Sequence, residues 1–499
     1  MRRGLIAIGL LLTSVGVVPY AAHSQTTRFN AVRRLIQDGL ARDSAPGLAV
    51  AVARGDSILW EEGFGWADPE KRLPVTVNTP FYLASVTKTI TATALMVLRE
   101  QGRLGLDHPA NAYLRAAKLW SPRWNTDSAT IRRLATHRAG ITTFDLDCPT
   151  SAPDCPFPSM DDLIRHYGVV SRPPGEYFDY SNLGYDILGD VVASAAGRDL
   201  GSFLHDEVFR PLGMTHSTLG VDTNATPAPA VPYYWVRGRV PHSRRTFAAS
   251  SGYSSVHDLV RFGQMHAKVR LEGTRPILSD AAIDTMQLSD VPATSTQRYG
   301  IGWWIDEKRF GYRSLLAQGG TGGAAAWLRV IPSERVVVVV LANKGVTFAR
   351  AVVDAAIAEV LPRYAELMNA PQPTPASSAP VAPTVLDSSF VGTWRGEVLT
   401  ESGEVKMELT VSNTGAVRAT YSSRPGESPG QARFAARLFR LTITGDLGTA
   451  DTTRGQRLFF YLRPGAGIMS GAVTLGAGTG ALAGVEGRVS YWVELRRPR

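Results

Sequence analysis

The amino-acid sequence predicts an α+β protein: an antiparallel sheet with helices on both faces, followed by a small all-β barrel or sandwich domain. Three observations carry this expectation. Strand-like segments occur near the start of the chain and return after residue 299, and helical periodicity fills the stretch between them. A Pro/Ala/Ser-rich run then separates both from a last block of alternating character.

The first residues, MRRGLIAIGLLLTSVGVVPYAAHSQ, have a basic start, an apolar run and a small-residue end. That is the build of a secretory signal peptide spanning residues 1–24, too short and too soon interrupted by Pro19 for a membrane span. The expected location is therefore secreted or periplasmic, with no membrane span after signal removal. The two cysteines, Cys148 and Cys155, sit in a Pro-rich loop, where export favours a disulfide. The formal charge of +9 comes without a Lys/Arg run, which fits a basic secreted protein and not a nucleic-acid partner.

After the leader, RFNAVRRLIQDGLARD has apolar residues at helical spacing, and PGLAVAVARGDSILWEEGFGWAD reads as two strands around the Arg54-Gly55-Asp56 turn. Helices are expected in ITATALMVLREQGRL, ATIRRLATHRAG, YDILGDVVASAAGR and VHDLVRFGQMHAKV. Strands return in YGIGWWID, SLLAQGG, AAAWLRVIP and RVVVVVLAN, so a sheet built from both chain ends closes residues 25–367. Residues 368–385 are the expected linker. Residues 386–499 alternate between strand-like segments and turns, and their Gly-rich run LGAGTGALAG reads as a turn region, because no helix follows it as a dinucleotide loop requires.

Chemistry is suggested first by FYLASVTKT, where Ser85 precedes Lys88 by one helical turn. A serine at a helix start gains from the positive end of the dipole as it becomes an alkoxide, and a lysine one turn on can take its proton. The S-x-x-K pattern alone is weak, since about two are expected by chance in a chain of this length; on the motif alone a helix cap with a solvated lysine explains it better than a nucleophile with its base does. The sole Y-x-N, Tyr180-Ser181-Asn182, adds a phenol able to act as acid or base and an amide able to hold a substrate carbonyl, although Ser181 or Asn182 could simply cap a helix. Gln318-Gly319-Gly320-Thr321 places glycines in a strand, where another backbone can approach closely and an edge N–H can join an oxyanion hole. His137 reads as a structural residue near the site, and Trp303-Trp304 as an apolar wall. No H-E-x-x-H or P-loop occurs, and the one G-x-S-x-G, at residues 426–430, falls in the strand-and-turn block with no helix after it as a nucleophile elbow requires, so a zinc hydrolase and an α/β-hydrolase are disfavoured and no metal or cofactor is expected.

Together PGLAVAV, FYLASVTKT, LATHRAGI, PGEYFDYSNLGYDILG, FRPLGMTHS, YGIGWW and QGGTGG resemble the serine β-lactamase and penicillin-binding-protein-like family, in its class C, D,D-peptidase and esterase branch. The resemblance covers residues 47–345 and implies a β-lactamase/transpeptidase-like fold. It implies Ser85 as the acylated nucleophile, Lys88 as its proton partner, Tyr180 as shared acid/base, and Asn182, Gln318, Gly320 and Thr321 as substrate-binding positions. The backbone N–H groups of Ser85 and Thr321 would form the oxyanion hole. The implied activity is hydrolysis of an ester or amide bond, peptide or β-lactam included, in a small-molecule or peptide substrate. Gln318 departs from the family pattern, which has Lys or His there, and a neutral amide cannot pair with a substrate carboxylate as a cation does. The alternative is a binding or sensor protein on the same scaffold, with the C-terminal β-domain as its interaction surface.

Overall fold

The computed structural model describes residues 27–142, 159–234, 238–239, 247–289, 292–371, 388–400, 403–435, 438–445, 447, 456–465, 467–476 and 489–498. The expected signal segment, Cys148 and Cys155, and most of the 368–385 and 475–484 stretches lie outside those residues. No helix among the described residues is long and apolar enough to cross a membrane.

The main sheet draws on both ends of the first domain. Its strands are β1 (Gly47–Arg54), β2 (Ser57–Asp68), β3 (Leu73–Pro74), β4 (Gln297–Tyr299), β5 (Trp304–Arg309), β6 (Tyr312–Thr321), β7 (Ala324–Ile331) and β8 (Val336–Ala342), in the spatial order β3-β2-β1-β8-β7-β6-β5-β4. Every residue of β8, VVVVVLA, is buried, the unbroken apolar pattern of a strand covered on both faces. Alternation along β1 sorts its side chains between two cores. Ala49, Ala51 and Ala53 join helices α2 (Thr87–Glu100), α4 (Asn182–Ala196) and α5 (Val256–His266), with α3 (Met160–Tyr167) also in that core. Leu48, Val50 and Val52 face α1 (Asn30–Asp43) and α6 (Ala349–Val360).

Two expected elements come out shorter, for local backbone reasons. In the 129–140 stretch only Ile131–Ala135 is α-helical, because His137 adopts a φ of +57° and Gly140 one of +76°. The expected strand 299–306 breaks between β4 and β5, where Gly302 takes a φ of +83°. A Cβ on Gly302 would lie 2.7 Å from the Ala92 side chain, and its carbonyl accepts a 2.7 Å bond from the Thr89 hydroxyl of α2. The break thus docks the sheet edge onto the helix that begins beside Ser85.

The C-terminal domain is a barrel and not a sandwich. Strands β9 (Gly392–Thr400), β10 (Gly403–Val411), β11 (Ala416–Tyr421), β12 (Arg424–Ala435), β13 (Leu438–Gly445), β14 (Gln456–Gly465), β15 (Ile468–Gly476) and β16 (Val489–Arg496) pair in sequence, and β16 closes on β9. Alternate residues such as Met407, Leu409, Val493 and Leu495 fill its interior. β12 and β15 were not expected from sequence, since RPGESPGQARFA and IMSGAVTLG are rich in weak strand formers. Their place in the ladder comes from closure. The barrel packs against the first domain through the rings of Tyr491 and Tyr167, 5.9 Å apart, and an Arg123–Glu494 ion pair of 3.3 Å.

Asp43, which ends α1, fixes the loop that follows β8. Its carboxylate accepts from the backbone N–H and hydroxyl of Thr347 at 2.6 and 2.9 Å, and its carbonyl accepts from Lys344 Nζ at 3.0 Å. Burial pushes the carboxyl pKa up, but the Thr347 bonds and the neighbouring Arg42 outweigh it and hold the group below its ordinary value. A depressed folded-state pKa contributes stability above the unfolded value that is lost as pH falls. Asp43→Ala is expected to cost about 2 kcal/mol at neutral pH, and the gap to wild type should narrow below about pH 4. Denaturant titrations at both pH values check this; a gap independent of pH would contradict it.

Candidate active site

The chain reaches Ser85 through a short 3₁₀ turn, Ala84–Val86, that leads directly into α2. Ala84 carries a φ of +45°, a conformation unusual for a residue with a Cβ. The turn is held by Thr87, whose hydroxyl donates to Ala84 O at 2.7 Å and accepts from Gly252 N at 2.9 Å. One turn into the helix, Lys88 is only 1% exposed and donates from Nζ to Ser85 Oγ at 3.0 Å. The expected pairing of Ser85 with Lys88 is therefore a direct contact.

The remaining partners of the ammonium come from elsewhere in the fold. Nζ donates to Ala249 O at 3.0 Å and lies 4.8 Å from the ring centre of Tyr180 and 5.8 Å from that of Tyr185. Ala249 is itself fixed, since its N–H donates to the buried carboxylate of Asp186 at 2.8 Å. Sequence reasoning did not single out Asp186; the signal available was a carboxylate in an otherwise apolar helix face.

Tyr180 precedes α4, where Ser181 is the cap: its Oγ accepts from Gly184 N at 2.9 Å and donates to Thr142 O at 3.0 Å. The Tyr180 ring stacks on Trp304 with centroids 6.0 Å apart and lies 4.3 Å from His137. His137 sits at the centre of an aromatic cluster with Phe178, Tyr185 and Tyr299. Burial, then the charge of Lys88, push its pKa well below the ordinary histidine value, so the ring is neutral. Its Nδ1 accepts the Ser181 N–H at 3.0 Å, a structural use. Burial likewise raises the phenol pKa of Tyr185 and of Tyr299, keeping both protonated.

Strand β6 forms the opposite wall. A Cβ on Gly319 would stand 2.2 Å from Leu83 O and 2.7 Å from Ser85 N, so only glycine lets the strand backbone lie against the nucleophile turn. Ser85, Tyr180, Trp304, Gln318, Gly320 and Thr321 then share one cavity of about 610 Å³ with Trp327 and Val346. Among the described residues no charged side chain lines it. Of the predicted substrate-binding residues, Asn182 alone is not in that lining; it opens α4. Trp303 is fully buried against His266, so of the two tryptophans only Trp304 forms the expected wall. Among the described residues no group of side chains is arranged to hold a metal ion.

The same sheet and helix arrangement occurs in solved structures. An octameric penicillin-binding protein homologue from Pyrococcus abyssi aligns over 93% of this chain and 99% of its own, with a TM-score of 0.59 and 22% identity. A class C β-lactamase aligns over 70% of this chain and 98% of its own, with a TM-score of 0.56 and 19% identity. The fold is thus β-lactamase/transpeptidase-like. A family model described as Beta-lactamase matches residues 32–361, and the chain belongs to that family. Curated relatives include the putative penicillin-binding protein PbpX of Bacillus subtilis, 29% identical over 44% of this chain and 54% of its own length. The D-alanyl-D-alanine-carboxypeptidase/endopeptidase AmpH of Escherichia coli is 25% identical over 58% of this chain and 78% of its own. The unguisins hydrolase of Aspergillus campestris is 26% identical over 62% and 60%. The chain thus spans little more than half the length of PbpX and of the unguisins hydrolase.

Gly319→Ala tests the close approach of β6. The variant is expected to lose about 1–3 kcal/mol of stability through overpacking. Any reaction at Ser85 should slow by about a hundredfold as the turn shifts. Labelling of Ser85 by an acylating probe at the wild-type rate would contradict this placement.

Proposed function

We propose that the protein is an exported serine hydrolase that cleaves an ester or amide bond through a covalent acyl-enzyme on Ser85. The observation that carries this reading is the 3.0 Å contact of Lys88 Nζ with Ser85 Oγ at the edge of the cavity. Ser85 Oγ attacks the substrate carbonyl carbon while its proton passes to Lys88 in its neutral amine form. The oxyanion is received by the backbone N–H groups of Ser85 and Thr321. Collapse of the tetrahedral intermediate breaks the bond to the leaving oxygen or nitrogen, which takes a proton by way of Tyr180. Water then attacks the acyl carbon, the same groups move its proton in the reverse sense, and Ser85 is released.

The described lining, which holds no charged side chain, favours substrates without a carboxylate beside the scissile bond, with Trp304, Trp327 and Val346 offering apolar contact to the acyl part. Gln318 is also the observation behind the second reading, in which the scaffold acylates but barely turns over and serves as a binding or sensor protein. The basic and apolar leader supports export.

Ser85→Ala is expected to lower hydrolysis of a small activated ester by roughly a thousandfold or more; equal turnover in the variant would remove the nucleophile assignment. A fluorescent acylating probe separates the two readings: label that fades as product forms means a hydrolase, and label that persists means a sensor. Gln318→Lys is expected to raise the ratio of turnover on carboxylate-bearing over neutral esters about tenfold. An unchanged ratio would contradict the role given to the neutral amide.

A further inference from the structure

The segment that carries Tyr180 has no regular structure of its own from Arg172 to the start of α4. It is held from two sides. On the first-domain side His137 takes both neighbouring amides, with Asp179 N donating to its carbonyl at 2.7 Å and Ser181 N to its Nδ1 at 3.0 Å. On the other side stands the barrel. Arg463 of β14 pairs with Glu176 at 3.2 Å. Asp179 pairs with Arg172, a cation whose side chain is 5% exposed. The Arg172 guanidinium lies 5.3 Å from the ring centre of Tyr461 in β14, and Arg440 of β13 lies 5.9 Å from the same ring. Tyr461 and Arg440 are directly paired across the two strands.

One aromatic ring of the barrel therefore carries two guanidinium groups, and both act on the single carboxylate next to Tyr180. Burial pushes the Asp179 carboxyl pKa up, and Arg172 and Arg440 pull it back down. Without Arg440 the field that keeps the carboxylate charged is weaker, and the buried Arg172 loses part of its partner. The Asp179 backbone is one residue from the ring that stands over Lys88, so slack there is transmitted to the Tyr180 hydroxyl with little intervening structure.

We propose that Arg440 and Tyr461 of the C-terminal barrel are positioning residues for Tyr180, acting through Arg172 and the Asp179 carboxylate. The barrel is then a working part of the reaction centre without touching substrate. This rests on the reading of Tyr180 as the acid/base of an acyl-enzyme reaction.

The test compares Arg440→Gln, Tyr461→Leu and the conservative Arg440→Lys in the full chain. Arg418→Gln serves as a control, because Arg418 lies on the barrel surface at 74% exposure with Glu427 as its ion-pair partner. Thermal unfolding and circular dichroism establish that the variants fold. Two readouts are taken: kcat and KM on a small activated ester, and deuterium uptake of the peptide covering residues 176–184. Arg440→Gln and Tyr461→Leu should lower kcat about tenfold with KM within about twofold, and should speed exchange in that peptide. Arg440→Lys should recover most of both effects, and Arg418→Gln should match wild type.

Wild-type kcat, or wild-type exchange, in Arg440→Gln and Tyr461→Leu would overturn the proposal. Faster exchange without a fall in kcat, in an enzyme whose turnover depends on Ser85, would overturn it as well, because the held segment would then not govern Tyr180. Absence of Ser85-dependent turnover in wild type would be a failure of the enzymatic reading instead. The exchange measurement would still decide whether the barrel fixes the segment.

Discussion

Burying an ammonium group almost completely is costly unless every proton on it finds a partner, and the arrangement around Lys88 follows from that requirement. Its partners are the Ser85 hydroxyl, the Ala249 carbonyl and the faces of Tyr180 and Tyr185. They come from three separate parts of the chain. Asp186 of α4 pins Ala249, and the Thr91 hydroxyl of α2 binds the neighbouring Ala248 carbonyl at 2.7 Å. The result is a nucleophile turn, two helices and a capped segment that meet because one cation must be satisfied.

The strand wall adds a second constraint, of space and not of charge. β6 can run against the Ser85 turn only because Gly319 has no side chain, and the hairpin beyond it is covered by Tyr234, whose ring would collide with a Cβ on Gly322 or Gly323. This close packing brings the backbone of β6 up to the Ser85–Lys88 pair. Gln318 contributes a neutral amide to the cavity, and no charged side chain is among its described lining residues.

Much of this was legible in the sequence, for identifiable reasons. The run of valines in β8 and the spacing of Ser85 and Lys88 report local periodicity, which a sequence carries directly. Tyr180 entered as a candidate from the Y-x-N motif, but its role beside Lys88 came from a family resemblance, because no local rule links a residue before α4 to one in α2. What escaped was set by long-range contact. The helix stops at Ala135 so that His137 can sit among aromatic rings, and the β4–β5 break exists to dock Gly302 on α2. Barrel closure recruited two weak strands, and the meeting of Arg440, Tyr461, Arg172 and Asp179 depends on how two domains pack.

The central claim is that Ser85 forms a covalent intermediate. Intact-protein mass spectrometry on samples quenched within seconds of mixing with an activated ester reads it most directly. The account predicts a single acyl increment that digestion maps to the peptide holding Ser85, and that disappears as substrate is exhausted. Turnover with no adduct at any time point, or an adduct on another residue, would contradict it.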